Sequence, residues 1–265
     1  MCFIVFDWQP GARRLTLASN RDEFYERPTA RADFWATEGH PDLLAGRDLR
    51  GGGTWMGITR AGRWAALTNV REMHRHLEDA PSRGDLVADY LRGDATPETY
   101  ARTVQERGAS YNGFNLLLGE VNPQRSALWY VSNRTDEPRQ LDAGRYGLSN
   151  AALDTPWPKV VRGRAHLDRV LDTVPPAQVS DRLLSALADD ARAPDDALPD
   201  TGIGLDWERI LSPIHIASPT YGTRAATVLQ VAGSCVALTE QAYGPTGRLG
   251  DPRRFAFMST EDMSA

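Results

Sequence analysis

The sequence predicts an α+β protein, with mostly antiparallel strands and helices packed outside them. Three observations predict this. The first two apolar runs, CFIVFDW and RLTLAS, are joined by a link short enough to force an antiparallel return. Helices then come in pairs, between residues 82 and 108 and again between 157 and 187. Strand-like runs resume near the end, so the order lacks the strict βαβ rhythm of a parallel sheet. Two stacked sheets with helices on the outside satisfy this order.

CFIVFDW is a strand by its apolar and aromatic content, QPGA supplies a turn, and RLTLAS returns. NRDEFYERPTARADFW is polar and reads as irregular, closed by Pro28. TWMGITRAGRWAALTN reads as a hairpin turning at residues 60–62. SRGDLVADYLRGD reads as a helix with Ser82 as N-cap and Asp85 three residues on. In TPETYARTVQERG, Thr96 caps a second helix, Pro97 sits in its first turn and Gly108 stops it. FNLLLGEV and SALWYVS are strands, with shorter ones near Arg139 and Tyr146. Residues 157 to about 187 are helical, broken by Pro175 and Pro176. DDARAPDDALPD is an acidic surface loop rather than a linker, because AATVLQVAG, SCVALTEQAY and RRFAFMS follow as strands. The tail from about residue 259 reads as loose, no internal repeat is visible, and residues 1–265 read as one domain.

Composition excludes several classes. The hydrophobic fraction of 41% and charged fraction of 25% are those of a globular protein. Net charge is −5 with no basic run, which disfavours nucleic acid. Lys159 is the only lysine, a usage read here as genome composition. No segment approaches the roughly 20 apolar residues of a membrane span. The apolar start is broken by Asp7, Gln9 and Pro10 without a basic lead, so it is no signal peptide and the cytoplasm is the default. Two cysteines, Cys2 and Cys235, make no disulfide framework. His74 and His76 form an i, i+2 pair in a charged stretch and lack a third ligand, so no metal or cofactor is expected. The glycine run 51–53 lacks the GK[ST] of a phosphate loop and reads as a tight loop that lets backbone approach a site. Nothing in the sequence fixes an oligomeric state.

The chemistry concentrates at the front. Start methionine is removed before small residues, which would leave Cys2 with both a thiol and a free α-amine. Such an amine titrates near 7.7–8.0 in model terms and can take the proton of its own thiol. Asp22, at the end of the returning strand, is the candidate to orient that amine, and Arg21 is a cation beside it. The plain alternative is a small buried residue in a first strand followed by a polar loop. Trp55, Trp35 and Phe34 are candidates to line an apolar pocket, though core packing is their commoner role. His215 and Cys235 read as inert.

Several pieces resemble one family. ASNRDEF after an N-terminal MC strand, LAGRDLRGGGTWMGI, GRWAALTNVRE, YNGFNLLLG, GLSNAALDTPWPKV and YGTRAATVLQV are similar to the NRDE-motif family, also called the transport-and-Golgi-organisation family. That family more distantly resembles the cholylglycine hydrolase and penicillin V acylase group of N-terminal nucleophile hydrolases. The resemblance implies a four-layer αββα sandwich with two mostly antiparallel sheets. It also implies Cys2 as nucleophile and Asp22 as its partner, with Asn20 matching the group's strand-two asparagine. Asn150 and Asn69 match its oxyanion donors, and Arg224 its late arginine beside the nucleophile. Ser19 stands where that group carries an arginine, and Arg21 follows the asparagine instead.

Two functions follow as expectations. One is a cysteine amidohydrolase or acyltransferase of the N-terminal nucleophile type, acting on a small linear amide or acyl conjugate. In it Cys2, Asp22, Asn69, Asn150 and Arg224 act, while Asn20, Arg21, Glu23 and Trp55 bind substrate. The other is a non-catalytic carrier on the same fold. The resemblance links it to acyl-CoA, lipid or haem handling, with an apolar ligand whose charged end the NRDE residues grip.

Overall fold

Side chains of the first strand alternate between two cores, and this sets the plan of the molecule. In the computed structural model, which describes residues 2–72, 74–122 and 124–260, Cys2–Gln9 (β1) is buried along nearly its whole length. Ile4, Phe6 and Trp8 enter one core, while Phe3 and Val5 enter another. That is the two-residue side-chain period of a strand covered on both faces. A short 3-10 turn at Pro10–Ala12 returns the chain as Arg14–Phe24 (β2), with Cys2 opposite Arg21 and Gln9 opposite Arg14.

The chain continues through Thr29–Trp35 (β3), His40–Asp48 (β4), Met56–Thr59 (β5) and Arg63–Asn69 (β6). Helices Arg83–Arg92 (α1) and Pro97–Arg107 (α2) follow, then Phe114–Val121 (β7), Ser126–Ser132 (β8), Arg139–Gln140 (β9) and Gly144–Leu148 (β10). Pro158–Thr173 (α3), Val179–Ala186 (α4) and Leu205–Leu211 (α5) lead to Tyr221–Ala232 (β11), Cys235–Gly244 (β12), Gly247–Arg248 (β13) and Arg253–Met258 (β14).

Two antiparallel sheets result. One runs β10-β1-β2-β11-β12-β13, with β14 also paired to β12; the other runs β3 to β9 in chain order. Trp8, Leu17, Trp64, Leu117 and Tyr130 pack between them. Val87, Tyr90, Ala101 and Val104 of α1 and α2 cover Leu116 and Leu118 on the outer face of the second sheet. Leu167 of α3 and Leu183 of α4 cover Phe3, Val5 and Val228 on the outer face of the first. The four layers are therefore αββα, as the resemblance implies. Each large apolar side chain sealed in these cores contributes roughly 1.5–3 kcal/mol.

Several details differ from the sequence reading. The NRDE segment is strand, not irregular loop: β2 runs on to Phe24 because β11 pairs with it, Tyr221 opposite Phe24 and Thr223 opposite Asp22. β3 and β4 then form from the stretch beyond. α5, seven residues opened by Asp206 and Glu208 after Gly204, follows the acidic loop in a stretch for which the sequence suggests no element. Ser82 precedes α1 but makes no side-chain capping bond, whereas the Thr96 hydroxyl accepts from the Thr99 N–H at 3.2 Å. Ser259 and Thr260 are held by main-chain bonds to Ser234 and Arg60, so the chain is not loose there. The rest of the tail, residues 261–265, lies outside the described residues.

Candidate active site

The short first hairpin brings the two ends of its strands together, and a cavity of about 370 Å³ opens beside them. Cys2, Asp22, Trp55 and Asn69 line it, together with Arg21, Glu23, Arg27 and Arg83. Trp55 lies flat across β4 because Gly46 leaves room; a Cβ there would overlap the indole. The Arg21 guanidinium stacks 4.5 Å above that indole. Its Nη2 and the Arg27 Nε both donate to Asp48, at 3.1 and 2.7 Å, and Glu23 stands within 4 Å of both arginines.

The glycine run shapes the same wall. Asp48 accepts from the N–H groups of Arg50 and Gly51, which curls the loop back on its own strand. Gly52 takes a φ of +76°, open to glycine without strain. A Cβ on Gly53 would collide with the backbone of Gly84, so the loop touches the start of α1.

Behind the thiol lies a buried polar layer. Burial pushes the Cys2 thiol up, and the Asp22 carboxylate adds to this; Arg21 and a main-chain hydrogen bond from Asp22 oppose it. Burial also pushes the Asp22 carboxyl up, against the pull of Lys159, of Arg71 and of the Thr223 hydroxyl, which donates to Asp22 Oδ1 at 2.8 Å. Lys159, in the first turn of α3, is fully buried, and its Nζ has no hydrogen-bond partner among the described residues. Burial and the Arg71 cation bring its amine down to about 8, with Asp22 and Cys2 pulling the other way. The position follows from the helix period. Lys159, Gly163, Leu167 and Val170 form one buried face of α3, and a Cβ at Gly163 would overlap the Phe3 ring next to Cys2. Arg71 is itself paired with buried Glu208 at 2.5 Å.

The residues singled out from sequence divide into three groups. Cys2, Arg21, Asp22, Glu23, Trp55 and Asn69 share the cavity. Asn150 stands behind it: its amide donates to the Asn69 carbonyl at 2.9 Å, and its own carbonyl accepts from the Arg71 N–H. Among the described residues, the Asn69 side-chain amide is left without a hydrogen-bond partner. Asn20 and Arg224 do not reach the cavity. Asn20 is completely buried and donates to the carbonyls of Leu187 and Ile214, both at 2.8 Å, tying β2 to the helical side. Arg224 is the extra residue of a bulge in β11, between Thr223 opposite Asp22 and Ala225 opposite Arg21. The bulge aims its guanidinium at the carbonyls of Phe24, Tyr25 and Arg27, at 3.0 to 3.1 Å. Trp35 packs under α1, and Phe34 packs between the sheets. His215 is half-buried against Tyr243, with burial lowering its imidazole. His74 and His76 are exposed, and among the described residues no group of acidic, histidine or cysteine side chains is arranged to hold a metal ion.

Sequence reasoning missed Arg83, the Arg71–Glu208 pair and Lys159. Only Lys159 left a signal, as the single lysine among 30 cationic residues.

Residues 1–243 match the family model for Transport and Golgi organisation 2. The chain belongs to that family. A Bos taurus relative, Transport and Golgi organization protein 2 homolog, is 38% identical over 261 residues, covering 91% of this chain and 93% of the relative. Two solved structures are similar at low identity. One is a Caenorhabditis elegans N-acylethanolamine-hydrolyzing acid amidase ortholog (TM-score 0.49, 11% identity, 86% of this chain and 92% of the other). The other is a mutant conjugated bile acid hydrolase from Clostridium perfringens (TM-score 0.47, 7% identity, 100% and 99%). Among the described residues no helix is long and apolar enough to cross a membrane.

Proposed function

We propose that the cavity is the active site of a cysteine amidohydrolase or acyltransferase acting on a small linear amide or acyl conjugate. The observation that carries this reading is the thiol of Cys2 opening into a cavity shared with Asp22 and the unengaged amide of Asn69. Removal of Met1 frees the Cys2 α-amine, which takes the thiol proton. The sulfur then bonds to the acyl carbon, and the carbonyl oxygen becomes an oxyanion. The Asn69 amide donates to that oxyanion, and Asn150 fixes the Asn69 main chain from behind. The C–N bond breaks as the α-ammonium returns its proton to the leaving amine. Water, or a second amine, then attacks the thioester and regenerates the thiol.

Asp22 sits one residue along β2 from Arg21, on the alternate face of the strand, close enough to the thiol and to Lys159 for its charge to act on both. That position suits a carboxylate that orients the Cys2 nitrogen, with Lys159 balancing its charge.

One feature favours a second reading, a carrier for an acyl ligand with a charged end. Burial raises the thiol instead of activating it. The test treats the purified protein with p-nitrophenyl butyrate, follows p-nitrophenolate, and maps the adduct by mass spectrometry. A burst of one equivalent with a butyryl group on Cys2, confined to molecules lacking Met1 and absent in Cys2→Ala, supports the enzyme. No burst, with butyrate binding retained in Cys2→Ala, supports the carrier.

A further inference from the structure

Three arginines line the cavity, and their partners differ. Arg21 donates to Thr29 and Asp48, and Arg27 to Asp48, with Glu23 close to both. Two cations thus share two carboxylates. Among the described residues Arg83 makes one hydrogen bond, Nη1 to the Gly113 carbonyl at 2.9 Å. No carboxylate among the described residues lies within 4 Å of it. None of its nitrogens is sealed away without a partner, so the remaining donors of the fork open into the cavity.

The nearest acids are engaged elsewhere. Glu23 is held between Arg21 and Arg27, and Glu72 is gripped by both Nε and Nη2 of Arg134. Glu78 and His76 stand exposed at the rim. The base of the Arg83 side chain is also fixed. It opens α1, and its neighbour Gly84 packs against Gly53 and Thr54. A largely buried guanidinium, held by one carbonyl and facing open space, is built to meet an oxyanion.

We infer that Arg83 forms an anion-binding subsite in the Cys2 cavity, and that the acyl compound received there carries a carboxylate or phosphate group. The inference rests on the reading of this cavity as a functional site and adds the charge class of its ligand. A neutral amide leaves the guanidinium without a counterion; an acyl compound with an anionic end supplies one while its carbonyl reaches the sulfur.

The test uses two alkylating reagents of similar size, anionic iodoacetate and neutral iodoacetamide, on the full chain at pH 8. Mass spectrometry reads the Cys2 and Cys235 peptides separately, and exposed Cys235 is the internal reference. The expected iodoacetate-to-iodoacetamide rate ratio at Cys2 exceeds that at Cys235 by about tenfold, the scale of local electrostatic steering. Arg83→Gln brings the two ratios together, and Arg83→Lys keeps part of the difference. Equal ratios in the unsubstituted protein, or a ratio that Arg83→Gln leaves unchanged, overturn the inference. If Cys2 reacts with neither reagent, the nucleophile reading falls while the subsite is still tested by thermal-shift titration. Glutarate and inorganic phosphate then raise the melting temperature of the unsubstituted protein but not of Arg83→Gln; no rise with either overturns the subsite. Where Arg83→Gln does not fold, protection decides. Glutarate or phosphate slows iodoacetamide at Cys2 and not at Cys235, and equal rates refute the proposal.

Discussion

Replacing Lys159 by methionine removes the one buried amine behind the thiol while keeping a side chain of similar length. The amine loses its proton at about 8 in the fold, against 10.5 for an ordinary lysine. That gap corresponds to about 3.4 kcal/mol against the charged form in the folded protein. Below pH 8 the amine is charged in both folded and unfolded chains, and the fold carries the whole cost. Between pH 8 and 10.5 the unfolded chain holds the proton and the folded chain does not. Stability therefore rises with pH in that window, and above it the cost is gone. The methionine variant lacks this dependence. Urea unfolding of both proteins should show the unsubstituted chain gaining on Lys159→Met by about 2.4 kcal/mol between pH 7.5 and 10. Tyrosine titrations common to both cancel in the difference. Because the chain has one lysine, labelling with [¹³Cε]lysine gives a single resonance whose midpoint reads the amine directly. A midpoint above 10, or a stability difference flat across this range, would show that Lys159 is hydrated and refute its place in the site.

Three further outcomes follow from the same geometry. Asn20→Ala removes two hydrogen bonds to buried carbonyls and should cost about 2–3 kcal/mol in urea unfolding. It should also leave the alkylation rate of Cys2 within about twofold, because Asn20 points away from the cavity. Arg224→Met should lower stability by about 2 kcal/mol by freeing the carbonyls of Phe24, Tyr25 and Arg27, again with Cys2 reactivity retained. Arg71→Met leaves buried Glu208 without its cation and should cost about 3–5 kcal/mol. Adding Glu208→Met should recover most of that loss, as chemical denaturation of the double variant would show.

The parts of the fold legible in the sequence are those set by local pattern. CFIVFDW and RLTLAS flank a short turn, and that alone dictates the register that sets Cys2 opposite Arg21. Thr96 and Pro97 announce α2, and Pro175 with Pro176 separates α3 from α4. NRDEF was not legible as strand because its polar side chains argue against one. They are accommodated because three of them find partners remote in sequence, Leu187 and Ile214 for Asn20, Asp48 for Arg21 and Thr223 for Asp22, while Glu23 stands between Arg21 and Arg27. Tertiary pairing overrides propensity there.

The same distinction separates the site residues. Asn20 and Asp22 are two apart in one strand and share a face, so spacing cannot tell them apart. What differs is where the strand stands. At Asn20 the helical layer closes over β2, whereas at Asp22 the strand has run past the end of β1 and the cavity begins. Arg224 is removed from the site by a single inserted residue in β11, a bulge that leaves no mark in composition. Lys159 had a visible mark whose meaning depended on burial. A chain that meets nearly every need for positive charge with arginine keeps its lysine fully buried, close to Cys2 and Asp22. Arginine holds its proton throughout the accessible pH range, and lysine can release it when desolvated. The exception in composition therefore falls in the buried polar layer behind the thiol, at a position where burial brings the amine down to about 8.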